Sequence, residues 1–214
     1  MQEFIVNSRI HQLSDTTDEI KKYFPGSIIH LTKHAGDAIR LASEAAERSD
    51  TVIAVGGDGT INEVLNGLMQ SKSGQRPSLG ILPRGSANDF AEAQRLPVTL
   101  EDFHGLNARK SLKPIDVGRI RGKNFEKHFL NVADIGFGAE VVKTLGSKSR
   151  LFPGLSYLIA ITKVFLRYNA IEMELTTPRE KWSGRAYGIF VANSSQLGRG
   201  IQIAPDAMID DGEF

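Results

Sequence analysis

The 214-residue sequence contains no cysteine. That excludes disulfides and thiolate chemistry, and it fits a reducing cytosol. Net charge is also nearly absent. The 26 Lys and Arg stand against 25 Asp and Glu, a formal charge of +1, so there is no broad basic field to grip nucleic acid. No nucleic-acid partner is expected. A long apolar run is missing as well. The most apolar stretch, LFPGLSYLIAITKVFL from Leu151 to Leu166, is broken by Pro153, Gly154, Ser156, Thr162 and Lys163. It falls short of the roughly 20 residues of a membrane-spanning helix, so no transmembrane segment is expected and any membrane contact is peripheral. The opening MQEFIVNSRIHQ lacks the basic-then-apolar order of a signal peptide, and a cytoplasmic location is expected. No internal repeat or low-complexity tract occurs. His11, His30, His34, His104 and His128 have no metal-ligand spacing and read as surface or loop residues. Trp182, among Arg179, Lys181 and Arg185, reads as an edge-strand aromatic.

What is present is an alternation. EFIVN, SIIHLT, TVIAV and LGIL read as strands. Helical patterns over Asp15–Phe24, Asp37–Arg48 and Ile61–Met69 lie between them, and PRGSANDFAEA turns and becomes helical again. Continuous Val, Ile and Leu strands, each followed by a helix, predict a parallel sheet covered on both faces. From about Lys113 the rhythm changes. KPIDVGRIRG, FEKHFLNVADIGFG, AIEMELTTP and RAYGIFVANSS alternate apolar and polar residues between turns, and only Leu155–Arg167 interrupts them with a helical pattern. The expected fold is therefore α/β: a doubly wound domain over 1–113, then a mainly antiparallel domain over 114–214.

The junction TVIAVGGDGTINEVLNGL raises a chemical question. In an open parallel sheet, ligands sit beyond the carboxyl ends of the strands. Gly56, Gly57 and Gly59 allow close backbone approach there. The amides around them, at the start of a helix, are built to face an anion such as phosphate. Asp58 among phosphates calls for a bridging cation or a proton to accept. Thr60 is placed to cap the helix and donate to a phosphate oxygen. The plainer reading of one such loop is a tight strand-to-helix turn. A second small, polar loop after the next strand, Arg84-Gly85-Ser86-Ala87-Asn88-Asp89, favours the cradle. Neither the Rossmann spacing nor a Walker A lysine loop occurs.

VGGDGTINEVLNGL (Val55–Leu68) followed by LGILPRGSANDFA (Leu79–Ala91) resembles the diacylglycerol kinase catalytic domain family, which includes bacterial lipid kinases and sphingosine and ceramide kinases. The likeness extends to IVN (Ile5–Asn7), to Thr32 ahead of GDA (Gly36–Ala38), and to IDVGRI, FLNVADIGFGAEVV and VANSSQLGRGIQIAPDAMIDDGEF. It implies a Rossmann-like ATP-binding domain, a C-terminal β-sandwich that is incomplete at Phe214, and ATP with magnesium as cofactors. Carried over by position, the nucleotide contacts are Asn7, Thr32, Gly56, Gly57, Asp58, Gly59, Thr60, Ile61, Asn62, Glu63, Gly85, Ser86, Asn88 and Asp89. Asp58 is the catalytic residue. A structural metal falls to the Asp211 side chain and the carbonyls of Met208 and Glu213. Three oxygens from one tight turn suit a hard cation, although the plainer reading of Asp210-Asp211-Gly212 by itself is a hairpin turn.

The sequence departs from the family in three places. Ser8-Arg9 follow Asn7 where the family has proline and then a Ser-Gly turn. Ser86 replaces a threonine and keeps the hydroxyl. No residue matches the family's usual general base, an acid expected beyond Phe214. The implied partner is a lipid alcohol at the membrane surface, and a homodimer is compatible with the resemblance. Leu151, Phe152, Leu155, Tyr157, Leu158 and Phe165, with Lys143, Lys148 and Arg150, offer a route for the lipid. The plainer reading of that segment is a packed helix beside a solvated basic loop. NAD kinases share GGDGT, so a kinase of a soluble acceptor and an inactive nucleotide sensor remain as rival readings.

Overall fold

The computed structural model describes residues 1–71, 76–109, 111–145, 153–198 and 200–214. The elements begin with β1 (Gln2–Val6), α1 (Leu13–Tyr23), β2 (Ile28–Leu31), α2 (Asp37–Ala46), β3 (Thr51–Gly56), α3 (Asp58–Gln70), β4 (Ser78–Pro83), α4 (Asp89–Ala93) and α5 (Leu100–Ala108). They continue with β5 (Gly118–Arg121), β6 (Glu126–Phe129), β7 (Val132–Gly136), α6 (Phe137–Leu145), α7 (Pro153–Phe165), β8 (Ile171–Thr176), β9 (Lys181–Ala186), β10 (Gly188–Ala192), β11 (Gln196–Leu197) and β12 (Ile201–Gln202).

By compactness the chain divides into residues 1–132 with 192–214, and residues 133–191. In the first unit, four strands pair in the order β2-β1-β3-β4. All are parallel, with Val6 opposite Leu31 and Val55, and Gly56 opposite Pro83. The period of two along each strand sorts side chains to the two faces. Phe4, Val6, Ile53, Val55 and Leu82 pack with Ile20 and Phe24 from the α1 region and with Leu100 and Phe103 of α5. Ile5, Val52, Ala54 and Ile81 pack with α2 and α3. The sheet is thus covered on both faces, and each fully buried Val, Leu, Ile or Phe contributes about 1.5–3 kcal/mol. Helices α2 and α3 approach closely at Gly67, where a Cβ would lie 2.6 Å from the Ala42 Cβ.

One polar side chain is enclosed in this sheet. Glu3 of β1 is fully buried. It accepts from Ser49 Oγ at 2.6 Å and from Arg48 Nη2 at 2.7 Å, and it lies 2.6 Å from His30 Nε2. Burial pushes its carboxyl upward, but the bonds to Arg48, Ser49 and His30 outweigh that and hold it below the usual carboxylate range. His30 is therefore half-buried against a carboxylate rather than a plain surface residue.

The remainder of the first unit contains the antiparallel pairs β5–β6 and β11–β12. The second unit contains the antiparallel pair β8–β9, a β7–β10 pairing, and α6 and α7, which enclose Val141, Ala160 and Val164. The N-terminal parallel sheet and C-terminal antiparallel strands agree with the expected fold class. Three local features differ from the sequence reading. α5 fills a stretch left without an element, α6 follows β7 directly, and residues 111–117 are irregular so that β5 starts only at Gly118.

Candidate functional site

The order β2-β1-β3-β4 reverses direction between β1 and β3, and the crevice at such a switch point is where open α/β sheets hold ligands. The loops leaving these two strands are joined there. The Asn7 amide donates to the Val55 carbonyl at 2.9 Å, and Asn7 Nδ2 donates to Thr60 Oγ1 at 3.0 Å. Thr32, at the end of β2, joins them. Its amide donates to the Val6 carbonyl at 3.0 Å and its Oγ1 accepts from the Ser8 amide at 3.3 Å. Asn7 Oδ1 closes the first loop by accepting from the Arg9 amide at 2.9 Å.

After β3, Gly57 is extended (φ −92°, ψ −174°) and α3 starts at Asp58 with no side-chain cap. The first helical bond runs from the Ile61 amide to the Gly57 carbonyl at 3.1 Å. The amides of Asp58, Gly59 and Thr60 precede it at the positive end of the helix dipole. Thr60 does not cap the helix. It is buried, and its hydroxyl lies over Gly56, where a Cβ would be 2.5 Å from it. At Gly59 a Cβ would meet nothing within 4 Å, so this is the open face of the loop. Asp58 Oδ1 accepts from the Phe90 amide at 3.3 Å. Ile61 belongs to the core. Asn62 Nδ2 donates to the His128 carbonyl at 3.1 Å, and Glu63 Oε1 accepts from the Gly36 amide at 2.9 Å.

The loop after β4 packs against this one. The Arg84 amide donates to the Gly56 carbonyl at 2.8 Å, and a Cβ on Gly57 would lie 3.0 Å from the Gly85 Cα. Asn88, in the left-handed region at φ 59°, folds its amide onto Gly85. It accepts from the Gly85 amide at 2.8 Å and donates to the Gly85 carbonyl at 3.1 Å. Ser86 is exposed. Asp89 is buried, and its two oxygens accept from the amides of Gly198 (2.8 Å) and Gly200 (3.1 Å). Ten of the fourteen residues carried over by position fall into two groups. Gly59, Asn62, Gly85 and Ser86 present themselves to solvent. Asn7, Thr32, Thr60, Glu63, Asn88 and Asp89 hold the loops together.

The C-terminal turn is organised by a residue whose role the sequence reading missed. Asp116 Oδ2 accepts from the Gly212 amide at 2.7 Å, and the Asp116 amide donates to the Ile209 carbonyl at 2.6 Å. Gly212 sits at φ 78°, Asp211 Oδ1 accepts from the Glu213 amide at 3.0 Å, and Asp210 pairs with Lys113 at 3.0 Å. Met208 and Glu213 are exposed beside it. The Asp211 carboxylate and the carbonyls of Met208 and Glu213 are the oxygens that could hold a hard cation here. Asp37 was also missed. It ties down the β2–α2 loop beside Thr32, and the Lys33 amide and Arg40 hold its carboxyl below the usual range.

A cavity of about 560 Å³ lies along β4 beside Leu79, Ile81, Phe103 and Leu106. None of Gly56–Thr60 or Gly85–Asn88 lines it, so the loop site and this cavity are different places. Lys148, Arg150, Leu151 and Phe152 lie outside the described residues. Phe165 is exposed, and Lys143 pairs with Glu140 at 3.0 Å. Among the described residues, no helix is long and apolar enough to cross a membrane.

The chain belongs to the diacylglycerol kinase catalytic domain family, whose model matches residues 5–120. A second model, the YegS C-terminal NAD kinase beta sandwich-like domain, matches residues 131–214. A protein of Xanthomonas campestris pv. campestris named "Probable lipid kinase YegS-like" is 38% identical over 188 residues, covering 86% of this chain and 61% of the relative. One of the same name from Yersinia enterocolitica is 37% identical over 186 residues, covering 86% and 62%. The chain thus spans about three fifths of the length of these curated relatives. A solved diacylglycerol kinase structure from Bacillus anthracis strain Sterne superimposes with a TM-score of 0.72 at 29% identity, covering 99% of this chain and 70% of that one.

Proposed function

We propose that this chain carries the nucleotide-binding and catalytic loops of an ATP-dependent lipid kinase, which transfers the γ-phosphate to the hydroxyl of a lipid alcohol such as diacylglycerol. The observation that carries the reading is the packing of two small-residue loops, Gly57 against Gly85, at the carboxyl ends of β3 and β4 beside the switch point. Residues 1–113 would bind the nucleotide, and residues 114–214 would complete the second domain.

Phosphoryl transfer depends on positioning and charge stabilisation more than on covalent help. The amides of Asp58, Gly59 and Thr60 and the hydroxyl of Ser86 would hold phosphate oxygens. Gly59 leaves the space for their approach. Asn7, Thr32 and Thr60 would fix the loop geometry rather than supply the main contacts, because their side chains already bond one another's loops. Asp58 would orient the acceptor hydroxyl and hold a magnesium ion, whose contribution when bound is to neutralise phosphate charge. The Asp211 carboxylate and the carbonyls of Met208 and Glu213 would hold a structural cation, with Asp116 fixing the turn through Gly212. The lipid would be met at a membrane surface.

Asp58→Asn tests the reading. The amide oxygen can still accept from Phe90, so the fold should persist. Phosphate transfer by a chain extended to the full length of the relatives should fall by roughly a hundredfold or more, the scale of losing an electrostatic transition-state contact. Near-normal turnover in D58N would remove Asp58 from the mechanism.

A further inference from the structure

Among the described residues of the first unit, four buried side-chain oxygens have no hydrogen-bond partner, and apart from Ser27 Oγ they are Asn131 Oδ1, Asn193 Oδ1 and Ser194 Oγ. They belong to residues that the backbone brings side by side, since the amides of Asn193 and Ser194 both donate to the Asn131 carbonyl, at 2.8 and 3.1 Å. Asn193 and Ser194 are fully buried. The orientation of the Asn193 amide is fixed by its neighbours. Its nitrogen faces the carbonyls of Leu130 (2.8 Å) and Asp116 (3.0 Å), which can only accept. Turning the amide over would put oxygen against oxygen, so Oδ1 must be the unpartnered atom.

A buried polar atom left unpaired is destabilising, and native proteins satisfy such atoms with internal water where two to four polar partners are gathered. We propose that Asn131, Asn193 and Ser194 form a binding niche for one ordered internal water, which bridges the Ser194 hydroxyl and at least one of the two amide oxygens. Two of them are acceptors only, and a water supplies two O–H donors. The Ser194 hydroxyl can accept from that water or donate to it. A divalent ion is disfavoured, because all three oxygens are neutral and hard divalent ions take carboxylates in their ligand sets. The niche sits where four segments of the chain cross. Asn193 ties Asp116 to Leu130, and Asp116 in turn holds Ile209 and Gly212. A water fixed there would lock the junction from which the C-terminal turn projects.

The test uses the intact 214-residue chain. Water-to-protein cross-relaxation in nuclear magnetic resonance should show a long-lived water at the Asn193 and Ser194 amide protons. In addition, Ser194→Ala should lower the folding equilibrium constant about three- to tenfold, because it strips the water of a partner. A dry niche gives the opposite sign, since removing an unsatisfied buried hydroxyl is neutral or stabilising. Absence of the water signal overturns the proposal. So does an S194A chain as stable as the parent or more stable. Stability that rises with potassium over sodium at constant ionic strength would assign the niche to a cation, and would overturn it equally.

Discussion

The backbone of Gly57 rests on that of Gly85: a Cβ on Gly57 would stand 3.0 Å from the Gly85 Cα. The loops after β3 and β4 are therefore one unit, and neither position has room for a side chain. Gly85→Ala, whose Cβ would press on the Gly57 backbone, should cost about 1–3 kcal/mol as overpacking does. It should also weaken nucleotide binding at least tenfold. Thermal melting with and without ATP separates the two effects. Gly59→Ala is the contrasting variant. Nothing lies within 4 Å of its Cβ, so its melting temperature should match the parent while ATP affinity falls.

Asp89 predicts a different pattern. Its carboxylate takes the amides of Gly198 and Gly200, so removing it takes the acceptor from two amides at once. Asp89→Ala should destabilise the chain by about 1.5–3 kcal/mol, on the scale of hydrogen bonds to a charged group. Asp89→Asn keeps only one acceptor oxygen and should fall between D89A and the parent. Hydrogen exchange at the Gly198 amide should accelerate in both. Unchanged exchange would mean that Asp89 does not hold this turn.

The buried Glu3 sets an acid limit on the fold. Its pKa is depressed in the folded chain by Arg48, Ser49 and His30 acting against burial. Its contribution is thus fully present above the unfolded value of ~4.3 and is lost as pH falls through the lower folded value. Asp37, also depressed, acts in the same direction. Stability measured by urea unfolding should therefore drop below about pH 4.3. Glu3→Gln should cost about 1–3 kcal/mol at neutral pH and show a shallower acid limb. An acid limb in E3Q as steep as the parent's would assign the loss to other groups.

The Gly212 amide bond to Asp116 gives a fourth prediction. Asp116→Asn keeps an acceptor for Gly212 and should fold. Asp116→Ala should loosen the 208–213 turn and reduce any cation-dependent gain in melting temperature. Equal gains in D116A and the parent would separate Asp116 from the turn's function.

The parallel sheet was legible because β1, β3 and β4 are short runs of Val, Ile and Leu followed by helical periodicity. The loops at their ends were legible because glycine and small polar residues stand at fixed offsets. Helix α5 carried a local signal that was passed over: Thr99 Oγ1 accepts from the Asp102 amide at 3.1 Å, a serine/threonine-type cap followed by Leu100 and Phe103 facing the core. Asp116 and Asn193 could not be read in the same way. Their partners Gly212 and Asp116 lie 96 and 77 residues away in sequence, and no local propensity encodes such a bond. The same holds for Thr60, whose hydroxyl suited a helix cap by position but is taken by Asn7, 53 residues away.

The most direct measurement supplies γ-labelled ATP, magnesium and mixed micelles with a panel of lipid alcohols to this chain and to a version extended at its C-terminus to the full length of its relatives. The account predicts label in a lipid alcohol with the extended chain, abolished by Asp58→Asn. Label transferred only to a soluble acceptor, or ATP bound with no transfer by either chain, would contradict it.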